Sequence, residues 1–192
     1  MNIVGLLLAA GSATRFGADK LLHRLPHGVP IAVQAARHLA SQIPRVVAVV
    51  RPDAGKLFLD LQNEGHEVVV CDNAAEGMGA SLACAVRAAG RADAYLVALA
   101  DMPFVRASSI AAVRDAMASG AAFAAPFFRG RRGHPVGISG AYFDALLALK
   151  GDEGAKRVIG ESRDKLMKIP VGDPGVVRDI DTPDDLLPPL TV

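Results

Sequence analysis

Six short apolar runs, separated by amphipathic stretches of helical period, restrict this chain to a sheet covered by helices. The runs are Ile3–Ala9, Arg45–Val50, Glu67–Cys71, Ala94–Ala98, Ala121–Ala125 and Pro135–Ser139. Between them lie Pro30–Ser41, Ala54–Glu64, Gly79–Ala89, Ala107–Ser119 and Ala141–Leu149. The runs are continuous rather than alternating, as strands buried on both faces are. Strand-helix-strand repetition predicts right-handed crossovers and an α/β architecture, a mostly parallel sheet with helices on both sides. Its 192 residues suit a single domain, 1–192, with a substantial core. Residues 151–178, glycine-punctuated and more polar, are expected to form an arm over the sheet, and 187–192 a proline-stiffened tail.

Composition excludes more than it assigns. A net charge of +1 gives no sign of a nucleic-acid surface or an acidic tail. Cys71 and Cys84, the only cysteines, have neither metal-ligand nor disulfide-framework spacing and are expected as buried, reduced thiols. The start lacks the basic segment and cleavage pattern of a signal peptide, and no apolar run reaches the ~18–20 residues that span a bilayer. A soluble, cytoplasmic protein without nucleic-acid or membrane partners is the expectation.

Ligands of such sheets bind at the carboxyl ends of the strands, and two segments there carry chemistry. The first is Leu8-Ala9-Ala10-Gly11-Ser12-Ala13-Thr14-Arg15-Phe16-Gly17-Ala18-Asp19-Lys20. Small residues let backbone N–H groups approach an anion closely. Arg15 supplies a planar fork and Lys20 a point charge, so the loop suits a polyphosphate. Gly11 and Gly17 are six apart with Lys20 three further on, which is not a Walker A loop. The dinucleotide fingerprint is absent as well. An ordinary turn with a surface Arg and Lys is the competing account.

The second segment follows the run ending at Leu99-Ala100. A carboxylate at the exit of a buried strand needs a cation, a metal or backbone donors, and Asp101 stands there. Mg²⁺ favours one or two carboxylates plus substrate phosphates, which makes it a natural companion to the Arg15 and Lys20 loop. Asp101 is too far from the helix near Ala107 to cap it, and Ser108 is better placed. In Asp179-Ile180-Asp181 the two carboxylates alternate about Ile180. Asp181 is a candidate second metal ligand, with a turn role as the alternative. Thr182-Pro183-Asp184-Asp185 reads as a helix start, with both aspartates serving its dipole.

With these segments in place the chain resembles the MobA-like nucleotidyltransferases, and within them the molybdenum cofactor cytidylyltransferase (MocA-type) branch. The resemblance runs through Leu8 to Lys20, Asn73, Glu76-Gly77-Met78-Gly79-Ala80-Ser81-Leu82, Leu99-Ala100-Asp101-Met102-Pro103, Gly130 to Val136, Gly151-Asp152-Glu153-Gly154-Ala155 and Asp179 to Leu186. One departure is Leu25 to Ile31, looser than the family's turn before its helix. The resemblance implies a Rossmann-like three-layer sandwich and transfer of a nucleoside monophosphate from an NTP to a phosphorylated acceptor, with release of pyrophosphate. Ala9-Ala10, where the guanylyl branch carries glycines, implies CTP, and molybdenum-loaded molybdopterin is the implied acceptor.

Leu8, Ala9, Ala10, Gly11, Ser12, Arg15 and Lys20 are then expected to bind the nucleotide. Gly77, Gly79 and Ser81 would form its base and ribose wall, although Gly79-Ala80-Ser81 reads equally as a helix N-terminus. Arg15, Lys20 and Asp101 are the expected catalytic groups, with Asp101 and Asp181 holding Mg²⁺ or Mn²⁺. Arg131, Arg132 and His134 would meet the acceptor, with a solvated loop tip as the alternative. A xanthine dehydrogenase-type molybdoenzyme or its chaperone is the implied partner. Another NTP or acceptor, such as GTP with molybdopterin or a sugar or polyol phosphate, stays open. So does a non-catalytic carrier of a pterin cofactor. A dinucleotide-dependent oxidoreductase fits least, because Gly77-Met78-Gly79 lacks both the third glycine and the first-strand position.

Overall fold

The computed structural model describes residues 1–11, 20–152, 154–160 and 163–186. Its strands are β1 (Ile3–Ala9), β2 (Arg45–Val50), β3 (Glu67–Val70), β4 (Ala94–Leu99), β5 (Phe123–Phe128), β6 (Arg131–Arg132), β7 (Val136–Ser139) and β8 (Leu166–Pro170). Its helices are α1 (Ile31–Ala40), α2 (Gly55–Asn63), α3 (Met78–Ala89), α4 (Ala107–Ala118), α5 (Phe143–Leu147) and α6 (Gly154–Gly160). The strands form one sheet in the order β3-β2-β1-β4-β7-β5-β6, with β8 beside β5.

Strand β1 lies between β2 and β4, parallel to both, and β3 continues the parallel half. Each central strand feeds both faces. Leu7 and Ala9 enter the cluster under α1, α2 and α4, with Leu39, Leu57 and Val113. Leu6, Leu8 and Ala10 enter the other, with Leu82, Val86 and Leu146. Burial on both faces accounts for runs that do not alternate.

The mostly parallel sheet is mixed at β7, which is antiparallel to both β4 and β5. The cause is local. Arg129 and Gly130 both take positive φ, 48° and 78°, as a two-residue hairpin turn requires, and a hairpin reverses the chain. Between the β5–β6 and β5–β7 pairings, Ala125 and Pro126 face the four residues Gly133 to Val136. The excess forms a bulge that takes His134 out of the ladder.

The segment expected as an arm contains α6 and β8. Strand β8 pairs in parallel with β5 from Phe123↔Leu166 to Phe127↔Pro170, so these residues belong to the sheet. The Leu25 segment is closed by hydrogen bonds from Leu25 N to Val29 O and Gly28 N to Leu25 O, at 2.9 and 2.7 Å. Ser108 does not cap α4. The buried Asp173 does, its Oδ2 accepting from Arg106 N at 2.9 Å and Ser109 Oγ at 2.8 Å. Both cysteines are free, Cys71 buried and Cys84 half-buried. Burial, then the neighbouring Cys84, pushes the Cys71 thiol up to about 11. Residues 187–192, expected as a tail, lie outside the described residues. No helix among the described residues is long and apolar enough to cross a membrane.

Candidate active site

A cleft of about 620 Å³ opens at the carboxyl ends of β1 and β4, where a parallel sheet presents its ligand crevice. Leu8, Ala10 and Gly11 border it from β1, and Leu99 and Asp101 from β4. Ala74, Gly77, Met78 and Ser81 form the wall at the start of α3.

Lys20 opens a single turn of 3-10 helix, Lys20–Leu22, and is only 8 % exposed. Its ammonium donates to Asp101 Oδ2 at 3.0 Å and to Asp181 Oδ1 at 3.3 Å. Burial works against this charge, but attraction and hydrogen bonding from Asp101, then from Asp181, outweigh it and hold the lysine above its ordinary pKa. The carboxylates meet because of the intervening chain. Ile180 is fully buried, and its N–H donates to Asp101 O at 2.9 Å. Asp179 and Asp181 flank it on the exposed side. The following turn is locked by Asp185, whose Oδ2 accepts from Asp181 N, Thr182 N and Thr182 Oγ1. Those bonds, Thr182's side chain first, hold the Asp185 carboxyl below the usual range. The turn is a 3-10 turn, Pro183–Leu186.

The Lys20 ammonium is a stand-in cation, and it shows that the Asp101 and Asp181 oxygens converge on a single positive charge. No group of three or more His, Cys, Asp or Glu side chains able to hold a metal occurs among the described residues. A two-carboxylate site fits Mg²⁺ or Mn²⁺ with phosphate and water completing the shell.

The turn before α3 is built for close approach. Gly77 has φ 128° and ψ −173°, a region that essentially only glycine adopts. A Cβ on Gly79 would stand 2.7 Å from Lys150 O and 2.8 Å from Gly151 O. Gly151 O accepts from Gly79 N at 2.7 Å, and Asp152 Oδ1 accepts from Met78 N at 3.3 Å. A distant segment thus satisfies the free N–H groups of α3's first turn. Ser81 does not cap the helix. It lies inside α3, its hydroxyl donating to Gly77 O at 3.3 Å.

The expected site residues divide. Leu8, Ala10, Gly11, Lys20, Gly77, Ser81, Asp101 and Asp181 line one cleft. Gly79 supports its wall from behind. Ala9 faces the opposite cluster, so its methyl group is not part of the cleft floor. Ser12 and Arg15 lie outside the described residues. Arg131 and Arg132 are exposed on the β5–β6 hairpin and border the cleft at no point described. His134 lines a small separate cavity with His38 and Met102. Burial pushes its imidazole down to about 4, so near neutral pH it carries no charge to attract an anion, and Nδ1 faces Val97 O at 3.4 Å.

Of the charged lining residues, Arg51 escaped the sequence reading, and Asp152 entered it only through the resemblance, with no role assigned. Arg51 immediately follows β2, the neighbour of β1, and that position was its signal. The role of Asp152 was not readable, because its place depends on the packing of Gly77 and Gly79.

The MobA-like NTP transferase domain matches residues 5–166. Purine catabolism protein PucB of Bacillus subtilis (strain 168) is 29 % identical over 193 residues, 95 % of this chain and 93 % of that one. A molybdenum cofactor guanylyltransferase of Burkholderia ambifaria is 35 % identical over 119 residues, 60 % of this chain and 57 % of its own. Nicotine blue oxidoreductase of Paenarthrobacter nicotinovorans is 29 % identical over 191 residues, 94 % of this chain and 92 % of its own. The crystal structure of Rv0371c from Mycobacterium tuberculosis H37Rv superposes with a TM-score of 0.82 at 26 % identity, covering 96 % of this chain and 94 % of that one. Its agreement in fold extends to the mixed, mostly parallel, Rossmann-like sheet. The family match spans every segment of the cleft up to Asp152, so this chain belongs to the MobA-like NTP transferase family and is a nucleotidyltransferase.

Proposed function

We propose that this chain transfers CMP from CTP to molybdenum-loaded molybdopterin, releasing pyrophosphate. The observation that carries the phosphate half of this reading is the convergence of Asp101 and Asp181 on one cation at the cleft mouth. The base half rests on Ala10, whose methyl group borders the cleft beside Leu8 and leaves less room for a purine. The molybdopterin acceptor is supported by the name of the Burkholderia relative. That name also favours a second reading, guanylyl transfer to the same acceptor.

The acceptor's phosphate oxygen attacks the α-phosphorus in line with the departing pyrophosphate. It is already anionic, so no strong general base is needed, and catalysis is positioning plus charge neutralisation. Asp101 and Asp181 would hold a divalent cation, which would supply charge neutralisation to the phosphates. Lys20, Arg15 and the loop amides hold the triphosphate, Gly77, Gly79 and Ser81 shape the wall against base and ribose, and Arg131 and Arg132 offer cations to the acceptor.

Pyrophosphate release, measured with Mg²⁺ and each of CTP, GTP, UTP and ATP, with and without molybdenum-loaded molybdopterin, tests the proposal. Release confined to CTP with that acceptor is expected. Release with GTP selects the second reading, and no release with any pair overturns both.

The alanines make a sharper prediction. Ala10→Gly is expected to raise GTP use relative to CTP by about tenfold, the worth of one methyl group in a pocket. Ala9→Gly is expected to leave the ratio unchanged, since Ala9 packs on the other face. Competition between the two nucleotides in one reaction measures the ratio, and no shift for Ala10→Gly removes the base-selection argument.

A further inference from the structure

We propose that the Lys20 ammonium occupies the divalent cation's place between Asp101 and Asp181, so that the nucleotide-free protein excludes the cation and admits it only with the triphosphate. The inference rests on reading this cleft as a metal-assisted nucleotide site.

Three observations support it. The ammonium reaches both carboxylates at once, at 3.0 and 3.3 Å. A small divalent cation needs its oxygens at about 2.0–2.1 Å, and two oxygens cannot close to that distance while an ammonium stays between them. An approaching dication also meets a positive charge already held against both carboxylates. Finally, Lys20 is 8 % exposed, so water does little to screen that charge.

The lysine can leave. Its main chain is fixed in the 3-10 turn beside the buried Leu21, but the ammonium rides on a flexible four-carbon stem. A triphosphate in the cleft offers it a new anionic partner, which frees both aspartates for the cation that travels with the nucleotide. The lysine therefore serves twice: as counter-ion to the two aspartates before the nucleotide arrives, and as phosphate ligand afterwards. The pair stays assembled in the empty protein without like-charge repulsion between its carboxylates.

The test is Mn²⁺ binding, followed by electron paramagnetic resonance, to the full chain without nucleotide. Lys20→Ala and Lys20→Gln are expected to bind Mn²⁺ at least tenfold more tightly than the wild type, and adding Asp101→Asn is expected to abolish the gain. Equal affinity in the wild type and both variants overturns the proposal. Should the variants fail to fold, the wild type alone decides. Its Mn²⁺ affinity is expected to rise at least tenfold when CTP is present, after subtraction of a protein-free Mn²⁺–CTP titration. Equal affinity with and without CTP overturns it. CTP binding measured separately by equilibrium dialysis distinguishes the two failures: a chain that binds no nucleotide refutes the nucleotide reading, whereas one that binds CTP yet takes up free Mn²⁺ equally well in all variants refutes only the exclusion.

Discussion

Asp101→Asn is expected to lower the turnover number by about 10³-fold while the protein still folds. The amide keeps the shape of the carboxylate and loses the charge. Losing a ligand of the cation that would neutralise the developing phosphate charge costs about 3–4 kcal/mol of transition-state stabilisation, which sets the magnitude. Stability changes little for two reasons. The backbone bond from Ile180 N to Asp101 O does not depend on the side chain. The Asn oxygen still accepts from Lys20, which retains Asp181 as a charged partner. Pyrophosphate release and a circular-dichroism melt are the two measurements. A melting temperature within about 5 °C of wild type alongside the lost rate is the expected pair, and an unchanged rate removes Asp101 from the catalytic machinery. Asp181→Asn is expected to act in the same direction but more weakly, because its side chain is 55 % exposed against 25 % for Asp101.

What was legible in the sequence follows from how local each signal is. Ile3–Ala9 and Arg45–Val50 are strands with those bounds, because their apolar runs meet turn residues at both ends. Leu166–Pro170 was missed: it is a short strand on the outer side of β5, with Met167, Lys168 and Pro170 exposed, and its residues do not read as buried. Lys20 stood out as a cation of the small-residue loop, Asp101 as a charge at the exit of an apolar run, and Asp181 by its alternation with Asp179 about Ile180. Their mutual bridge did not, since it depends on Ile180 pairing with the backbone of Asp101 across the fold.

Strand parity gives residues 8 and 10 a common face that 9 does not share, which takes Ala9 away from the cleft floor. The stretch beginning at Gly151 was opaque for a different reason. Asp152 and Asp173 serve helices far away in sequence, α3 through Met78 N and α4 through Arg106 N, and no local pattern announces a remote cap. Neither α3 nor α4 is capped by its own N-cap side chain. The segment expected as an arm thus secures one helix on each face of the sheet, α3 and α4.

That dependence leads to a large stability effect from a single methyl group. Gly77→Ala is expected to destabilise the protein by about 3 kcal/mol. The backbone at φ 128°, ψ −173° costs a side-chain-bearing residue about 1–3 kcal/mol. The new Cβ would also stand 2.6 Å from the carbonyl carbon of Gly151 and closer still to Asp152 Oδ1, and a backbone carbon cannot swing aside as a side-chain tip can. Relief requires residues 151 and 152 to withdraw, which breaks the bonds from Gly79 N to Gly151 O and from Met78 N to Asp152 Oδ1, each worth about 1 kcal/mol. For a chain of this length the loss corresponds to a fall of about 6–12 °C in melting temperature. Because Gly77, Met78, Ser81 and Asp152 line the same cleft, KM for the nucleotide is expected to rise in parallel, by about tenfold. Gly55→Ala is the control: a Cβ there meets nothing within 4 Å and no positive φ is needed, so a small gain of about 0.5 kcal/mol is expected. A Gly77→Ala protein that melts with the wild type and keeps its KM would mean that the 151–152 segment does not bear on the turn, and that the cleft wall stands without it.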